Sequence, residues 1–375
     1  MGLYSKRPSA IPTDMAEWPG MENTQIQAVN TAMPERLVSF MPAEWHPQNA
    51  VQLTWPHEDS DWASRLAEVT DCYIKLAYEI SVVEKLFIIC KDKNAIQALL
   101  ENKLPKKCID NIYLVECPTN DTWARDHGFI TIVDEGEYKL LDFKFNGWGG
   151  KFEANLDNNI NHILYTTGLL RGTYCDCQDI VLEGGSIESD GRGTLLTTSQ
   201  CLLNSNRNPL LNKDDIEQIL LTRLKGNRVL WLNHGYLAGD DTDCHIDTLA
   251  RLCPNDTILY VKCEDKDDEH YEQLSLMEQQ LQSMYTTDGK SYRLLPLPMA
   301  PQMYDENNQR LPTTYANYLV INGRVLMPAY GDSILDEKAK NVIEKAFPHH
   351  SIKMVDCRIL VWQHGSLHCS TMQYY

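Results

Sequence analysis

The sequence predicts an α/β protein made of five ββαβ-like units set around one centre. Three observations predict it. Strand-like and helix-like stretches alternate through the 375-residue chain after residue 36. Hairpin signals recur between them. Six polar or aromatic positions stand where an apolar strand gives way to a turn: Trp55, Asp126, Glu183, His245, Asn317 and Cys369. Their separations are 71, 57, 62, 72 and 52 residues. Five intervals of similar length point to five repeats, each sending residues into a shared pocket. No linker-like or low-complexity run interrupts the pattern. One domain over residues 36–375 is therefore expected, behind an N-terminal arm over residues 1–35.

The helices come from apolar spacing. Residues 60–83 open with Asp59 and Asp61 and carry Leu66, Val69, Tyr73, Leu76, Ala77 and Ile80 on one face. Residues 213–224 and 267–285 read the same way. Residues 332–347 are capped by Asp332 or Ser333 and stop before Pro348. Three hairpins are expected. The first joins 129–133 (FITIV) to 138–141 (YKLL) through a turn at 134–136. The second joins 185–188 (GSIE) to 194–197 (TLLT) through 189–191. The third joins 317–321 (NYLVI) to 325–327 (VLM) through Asn322-Gly323, the strongest short hairpin signal. Residues 358–362 (RILVW) read as a late strand.

Composition removes several function classes. A hydrophobic fraction of 43% with 23% charged residues is that of a folded globular chain, not a disordered one. The net charge of −18 lacks the positive field that nucleic-acid binding requires, and it suits a cationic ligand. No apolar run is long enough to span a bilayer. The polar, Pro-containing stretch over residues 1–19 lacks the apolar core of a signal peptide, so a cytoplasmic protein is expected. Twelve scattered cysteines in a chain this long read as thiols, not as a disulfide framework. The pair Cys175 and Cys177 reads as two unrelated thiols in a loop.

Four segments carry candidate chemistry. In 239–248 (GDDTDCHIDT), His245 and Asp247 are two apart, so in an extended strand both project to the same face. That suits a general base beside a cation-binding carboxylate, a metal site, or merely an Asp-rich loop. In 120–128 (NDTWARDHG), Trp123 and Asp126 offer a stacking wall and a carboxylate, which a planar cation wants. In 181–186 (VLEGGS), Glu183 ends a strand before two glycines that permit a sharp turn. In 364–372 (HGSLHCSTM), Cys369 lies among polar residues where a reactive thiolate is at home. A metal clip of His364, His368 and Cys369 also fits the spacing.

Together these supply a thiol, an imidazole and three carboxylates. A cysteine hydrolase needs only the thiol, the imidazole and one orienting group. Extra carboxylates repel a thiolate and each other unless the substrate is a strong cation. A guanidinium meets that requirement, being planar, permanently charged and rich in fixed N–H donors. Two other readings leave residues unexplained. A cysteine peptidase or amidase has no use for Asp126, Glu183 and Asp247, and a non-catalytic polyamine- or arginine-binding protein has no use for the thiol.

The chain resembles the agmatine deiminases of the agmatine/peptidylarginine deiminase family, within the guanidine-modifying enzymes. The resemblance runs through 41–47 (MPAEWHP), 53–56 (LTWP), 120–128, 146–151 (NGWGGK), 182–185 (LEGG), 240–247 and 330–332 (YGD) to His368-Cys369. It implies a five-bladed, pentein-like α/β propeller, no metal and no organic cofactor. It implies Cys369 as nucleophile and His245 as general acid/base. Asp126 and Asp247 would grip the guanidinium nitrogens, with Glu183 beside His245 and the guanidinium, Trp123 in the pocket, and Asn317 at a pocket position. The implied substrate is agmatine, converted to N-carbamoylputrescine and ammonia in putrescine biosynthesis, with free or peptidyl arginine as the alternative. A homodimer is left open. The chain departs from many relatives at Cys244, at Thr248 and in the segment 364–369. Asp240, Asp241 and Asp243 read either as negative potential for a distal amine or as turn caps, and Lys151 has no assigned role.

Overall fold

The strand β1 (Ala50–Thr54) is buried along its whole length, because it has a neighbour on each edge. The computed structural model describes residues 39–375, so the arm expected over residues 1–35 lies outside the described residues. After β1 come β2 (Lys85–Cys90) and β3 (Ile112–Glu116), both parallel to it in one sheet. The next three strands, β4 (Ile130–Asp134), β5 (Glu137–Lys144) and β6 (Thr173–Val181), form a second sheet. There β4 and β5 are an antiparallel hairpin and β6 lies parallel to β5. The same pattern recurs in β7 (Glu188–Ser189), β8 (Thr194–Thr198) and β9 (Arg228–Leu232). It recurs in β10 (Ala250–Cys253), β11 (Thr257–Lys262) and β12 (Arg293–Pro298). It recurs again in β13 (Leu319–Ile321), β14 (Arg324–Ala329) and β15 (Ser351–Asp356).

The first sheet completes the series by borrowing. Its antiparallel partner is β16 (Thr371–Tyr374), which pairs with β1 so that Val51 faces Gln373. The sheet order is therefore β16-β1-β2-β3. The protein is a five-bladed α/β propeller whose ring is closed by one strand from the far end of the sequence. This corrects one landmark. Trp55 follows the second strand of its blade, not the segment before the first, and packs edge-on against Tyr73 in the core. The equivalent position of that blade is Cys369.

Helices cross between the parallel strands as the apolar spacing predicts. The helix Leu66–Ser81 buries Val69, Tyr73, Leu76, Ala77 and Ile80. Lys213–Arg223 begins with a capping box of Asn212 and Asp215. Tyr271–Gln282 occupies the third expected stretch. Asp332 caps Ser333–Ala346, its Oδ1 accepting from the N–H groups of Ile334 and Leu335. The helix Lys93–Lys103 escaped the pattern because it buries only Leu100.

Three local expectations are corrected. Only Glu188–Ser189 of the second hairpin's first arm is strand, since Gly184–Ser186 coils into a 3-10 turn. Residues 358–362 are not a strand. Leu360–Gln363 is a 3-10 turn with Leu360 and Val361 both buried. Cys175 and Cys177 sit in β6, not in a loop. All twelve cysteines are free thiols. Among the described residues no helix is long and apolar enough to cross a membrane.

The ring closure rests on buried polar bonds as well as apolar packing. Tyr374 Oη donates to Gln52 Oε1 at 2.5 Å, with both residues buried. Tyr374→Phe removes that donor and leaves a buried amide oxygen unpaired, a change expected to cost about 1–3 kcal/mol. The urea midpoint of the variant, compared with that of exposed Tyr304→Phe, measures it, and equal midpoints would mean that this bond does not hold the ring.

Candidate active site

In every blade the segment just ahead of the first strand turns inward, and those five segments meet. Asp126 lies in the turn Ala124–His127 before β4, and Glu183 precedes the turn Gly184–Ser186 before β7. His245 and Asp247 flank the start of the turn Ile246–Thr248 before β10. Asn317 leads into β13 and Cys369 into β16. Asn317 ties two of these segments together. Its Oδ1 accepts from the backbone N–H of His368 at 2.9 Å and of Cys369 at 3.3 Å. Its Nδ2 donates to Asp247 Oδ2 and to Cys369 Sγ, each at 3.2 Å.

Asp126 is held by neutral donors. Trp148 Nε1 donates to its Oδ2 and the Gly185 N–H to its Oδ1, each at 2.9 Å. The indole reaches inward because the chain over Gly147–Gly150 runs through left-handed backbone, with φ of 55° even at Trp148 itself. Gly185 is required by space. A Cβ there would stand 2.6 Å from His245 Nδ1, 2.8 Å from Asp126 Oδ1 and 3.2 Å from Asp247 Oδ2. His245 Nδ1 lies 3.6 Å from Asp126 Oδ1, and neither ring nitrogen has a hydrogen-bond partner. Asp247 Oδ2 accepts from His368 Nδ1 at 2.7 Å as well as from Asn317, whereas Asp247 Oδ1 is buried without a partner.

The electrostatics follow from burying acids together. Burial, then the Asp247 and Asp126 charges, push the Cys369 thiol well above its ordinary range. Burial and the Asp247 charge push Asp126 well up, against the pull of Trp148. Burial lowers His245 to about 3, so the resting ring is neutral. Burial would also raise Asp247, but the His368 hydrogen bond and the nearby cationic groups outweigh it and lower the carboxyl. Glu183 lies beside His245, with a carboxylate oxygen, Cys201 Sγ and a ring nitrogen within 4.8 Å of one another. Its two oxygens accept from Arg207 Nε at 2.9 and 3.0 Å, so an internal guanidinium already fills it.

A cavity of about 200 Å³ reaches this centre. Trp123, Trp148, Phe152, Asp126 and Cys369 line it, together with Asp61, Asp121, Asp241, Thr242, Gln363, His364 and Gly365. A Cβ on Gly365 would fall 2.2 Å from the Trp123 ring, so the bare backbone lies flat on the indole. The Asp cluster divides. Asp240 ties its own turn, accepting from Thr242 and from the Cys244 N–H. Asp243 pairs with Arg207 at 2.6 Å and Lys151 at 2.9 Å. Asp241 alone of the three lines the cavity. Lys151 therefore latches the Trp148 loop onto the Asp241–Asp243 loop, and its Nζ also donates to the Asp241 carbonyl at 2.5 Å.

No clip forms from His364, His368 and Cys369. His364 Nδ1 bonds the Gly239 carbonyl, while His368 faces Asp247 and Glu44. The ligand-type trios among the described residues are Glu183–Cys201–His245 and Glu44–Glu188–His368. Each already holds an arginine, Arg207 in the first and Arg251 in the second, whose charge disfavours a metal ion there. Sequence reasoning did not assign Trp148, Arg207, Glu44 or Arg251, and it weighed His368 only as part of a metal clip. The glycine-rich setting of Trp148 was a usable signal. A lone arginine in an Asn-rich loop, such as Arg207, gives none.

Five blades that bring a thiol, an imidazole, carboxylates and an amide together beside one small cavity, with Cys369 and Asp126 in its wall, define a guanidine-modifying hydrolase, acting on a guanidino C–N bond. The chain belongs to the Porphyromonas-type peptidyl-arginine deiminase family, which it matches over residues 40–374. It is similar to a solved Porphyromonas gingivalis protein provisionally described as an arginine deiminase, with 49% identity and a TM-score of 0.85 over 90% of this chain and 98% of that one. It is similar to a C. jejuni agmatine deiminase variant with a cysteine-to-serine change, solved with substrate bound, at 39% identity and a TM-score of 0.82 over 90% and 96% of the two chains. It is also 32% identical over 357 residues to the agmatine deiminase of Pseudomonas fluorescens, covering 89% of this chain and 94% of that one.

Gly185→Ala places a methyl group between Asp126, Asp247 and His245 at a position with ordinary backbone angles. It is expected to lower hydrolysis of a guanidine substrate by about 100-fold or more, equivalent to about 2.7 kcal/mol of barrier, with an unchanged circular dichroism spectrum. Near-normal ammonia release from this variant would mean that the three groups do not converge on substrate.

Proposed function

We propose that the protein is an agmatine deiminase, converting agmatine and water to N-carbamoylputrescine and ammonia on the way to putrescine. The observation that carries this reading is the charge of the cavity. Asp61, Asp121, Asp126 and Asp241 line it, and among the described residues no lysine or arginine does. Free arginine would bring an α-carboxylate into that field, where Lys151 beside Asp241 is already held by the Asp241 carbonyl and Asp243. Agmatine brings an ammonium, which the outer acids attract. A peptidyl arginine would gain nothing from them. Relatives named agmatine deiminases at 32% and 39% identity support the same choice.

In the mechanism, Asp126 and Asp247 grip the guanidinium nitrogens between the Trp123 and Trp148 rings. The arriving cation offsets the carboxylate repulsion that keeps the Cys369 thiol protonated. The thiol proton passes to His245, and the sulfur attacks the guanidinium carbon. His245 returns that proton to the departing nitrogen, ammonia leaves, and a thiouronium remains on Cys369. His245 then takes a proton from water, whose oxygen adds to the same carbon. As the C–S bond breaks, the hydroxyl on that carbon gives up its proton to form the C=O, and the proton on His245 returns to the sulfur. The hydroxyl proton leaves with the ammonia as ammonium, so the ureido product is released and the thiol restored. Glu183, fixed by Arg207, steadies the ring of His245, and Asn317 steadies the sulfur. Every proton is carried by the chain's own side chains, without metal or organic cofactor. The same reading takes the enzyme as cytoplasmic, acting away from nucleic acid and membranes, with a homodimer as an open assembly.

Ammonia and ureido product measured in parallel from agmatine, free arginine and an arginine peptide test the substrate. Agmatine is expected to lead in kcat/KM by about 30-fold, the scale of two lost charge interactions of about 1 kcal/mol each, and a lead for arginine or the peptide would overturn the choice. Cys369→Ala should bind agmatine and release no ammonia. Asp241→Asn should raise KM for agmatine by about fivefold, on the order of 1 kcal/mol, with little change in kcat.

The pH dependence has a definite sign. Burial raises Asp121 to about 7 and Asp241 to about 6. Both carboxyls are charged above those values and become neutral as the pH falls through them. KM for agmatine should therefore rise as the pH drops from 8 to 5.5, and the rise should be smaller in Asp241→Asn. Steady-state kinetics across that range check it, and a flat KM would remove the outer acids from substrate binding.

A further inference from the structure

We propose that His368 is a positioning residue for the deimination: by holding Asp247 Oδ2 it fixes the orientation of the carboxylate that stands against Cys369 and Gly185. This rests on the agmatine deiminase reading and goes beyond the residues that reading uses. A carboxylate has two oxygens and rotates about one bond, so a buried aspartate aimed at a ligand must be stopped from turning to satisfy itself elsewhere. In Asp247 the two oxygens are treated unequally. Oδ2 accepts from His368 Nδ1 at 2.7 Å and from Asn317 Nδ2 at 3.2 Å, with Cys369 Sγ at 3.9 Å. Oδ1 is buried and has no partner. An unpartnered buried carboxylate oxygen is costly, and it is tolerated where a ligand completes it.

The ring of His368 cannot swing away, because its far side is also held. Nε2 meets the Glu44 carboxylate and lies 3.1 Å from Arg251 Nη2. Arg251 in turn pairs with Glu44 at 2.7 Å and with Glu188. Glu44 belongs to the 41–47 segment and is 324 residues away from His368 in sequence. The chain Glu44, His368, Asp247 therefore links the segment before β1 to the carboxylate beside Cys369.

The test uses His368→Ala and His368→Asn in the full-length protein, each also combined with Cys369→Ala for binding. The Asn amide nitrogen stands near the place of imidazole Nδ1, so it keeps the donor to Asp247 and drops the link to Glu44. His368→Ala is expected to weaken agmatine binding about tenfold or more, as loss of a charge-assisted hydrogen bond implies. It should leave Cys369 alkylation by neutral iodoacetamide near the wild-type rate. His368→Asn should recover most of the binding. Calorimetric titration with agmatine reads the affinity, and mass spectrometry reads the alkylation. Unchanged binding in the Ala variant would overturn the proposal. So would an Asn variant as weak as the Ala variant, or binding and alkylation altered together. A wild-type protein that releases no ammonia from agmatine would instead overturn the deiminase reading, and the titrations would still decide the role of His368.

Discussion

The arrangement depends on one repulsion: Asp126, Asp247 and a sulfur buried together around a space that contains no cation of the protein's own. Such a cluster is unfavourable while empty, and its resting state shows this in a protonated thiol and an elevated Asp126. A guanidinium relieves both at once. The same charge that makes the ligand bind also makes the sulfur nucleophilic, so binding and activation are one event, and a neutral ligand gains neither.

The buried acids sort by partner. Glu183 has Arg207, while Glu44 and Glu188 have Arg251. These are complete ion pairs, and breaking one would strand a charge in the interior. Asp126 has only an indole and a backbone N–H, and Asp247 only an imidazole and an amide. Such donors orient a carboxylate without the direct guanidinium pairing that would fill it. The protein thus spends arginines on the acids that build the walls and withholds them from the acids that face the ligand.

Much of this was legible in the sequence, and the reason is the pseudo-symmetry. Each blade presents the residue ahead of its first strand, so Asp126, Glu183, His245, Asn317 and Cys369 recur at similar intervals among hairpins with plain turn signals. Trp55 broke the count because the first blade draws its opening strand from residues 371–374, a permutation that no local pattern reveals. The arginine pairings were hidden for a related reason. Arg251 meets Glu44 and Glu188 across large sequence separations, and one charged residue in a polar string looks the same whether solvated or buried. The stretch 358–362 misled because an apolar run suits a core turn as well as a strand.

The pairing of β1 with β16 joins positions some 320 residues apart, and Cys369 stands at the threshold of β16. Long-range contacts of this kind form late, since the intervening loop must be closed first. Until they form, this sulfur is an ordinary accessible thiol, open to oxidants and electrophiles. Afterwards it is enclosed and held in its unreactive form until the right cation arrives. Maturation of the fold and safekeeping of its most vulnerable atom are therefore the same step.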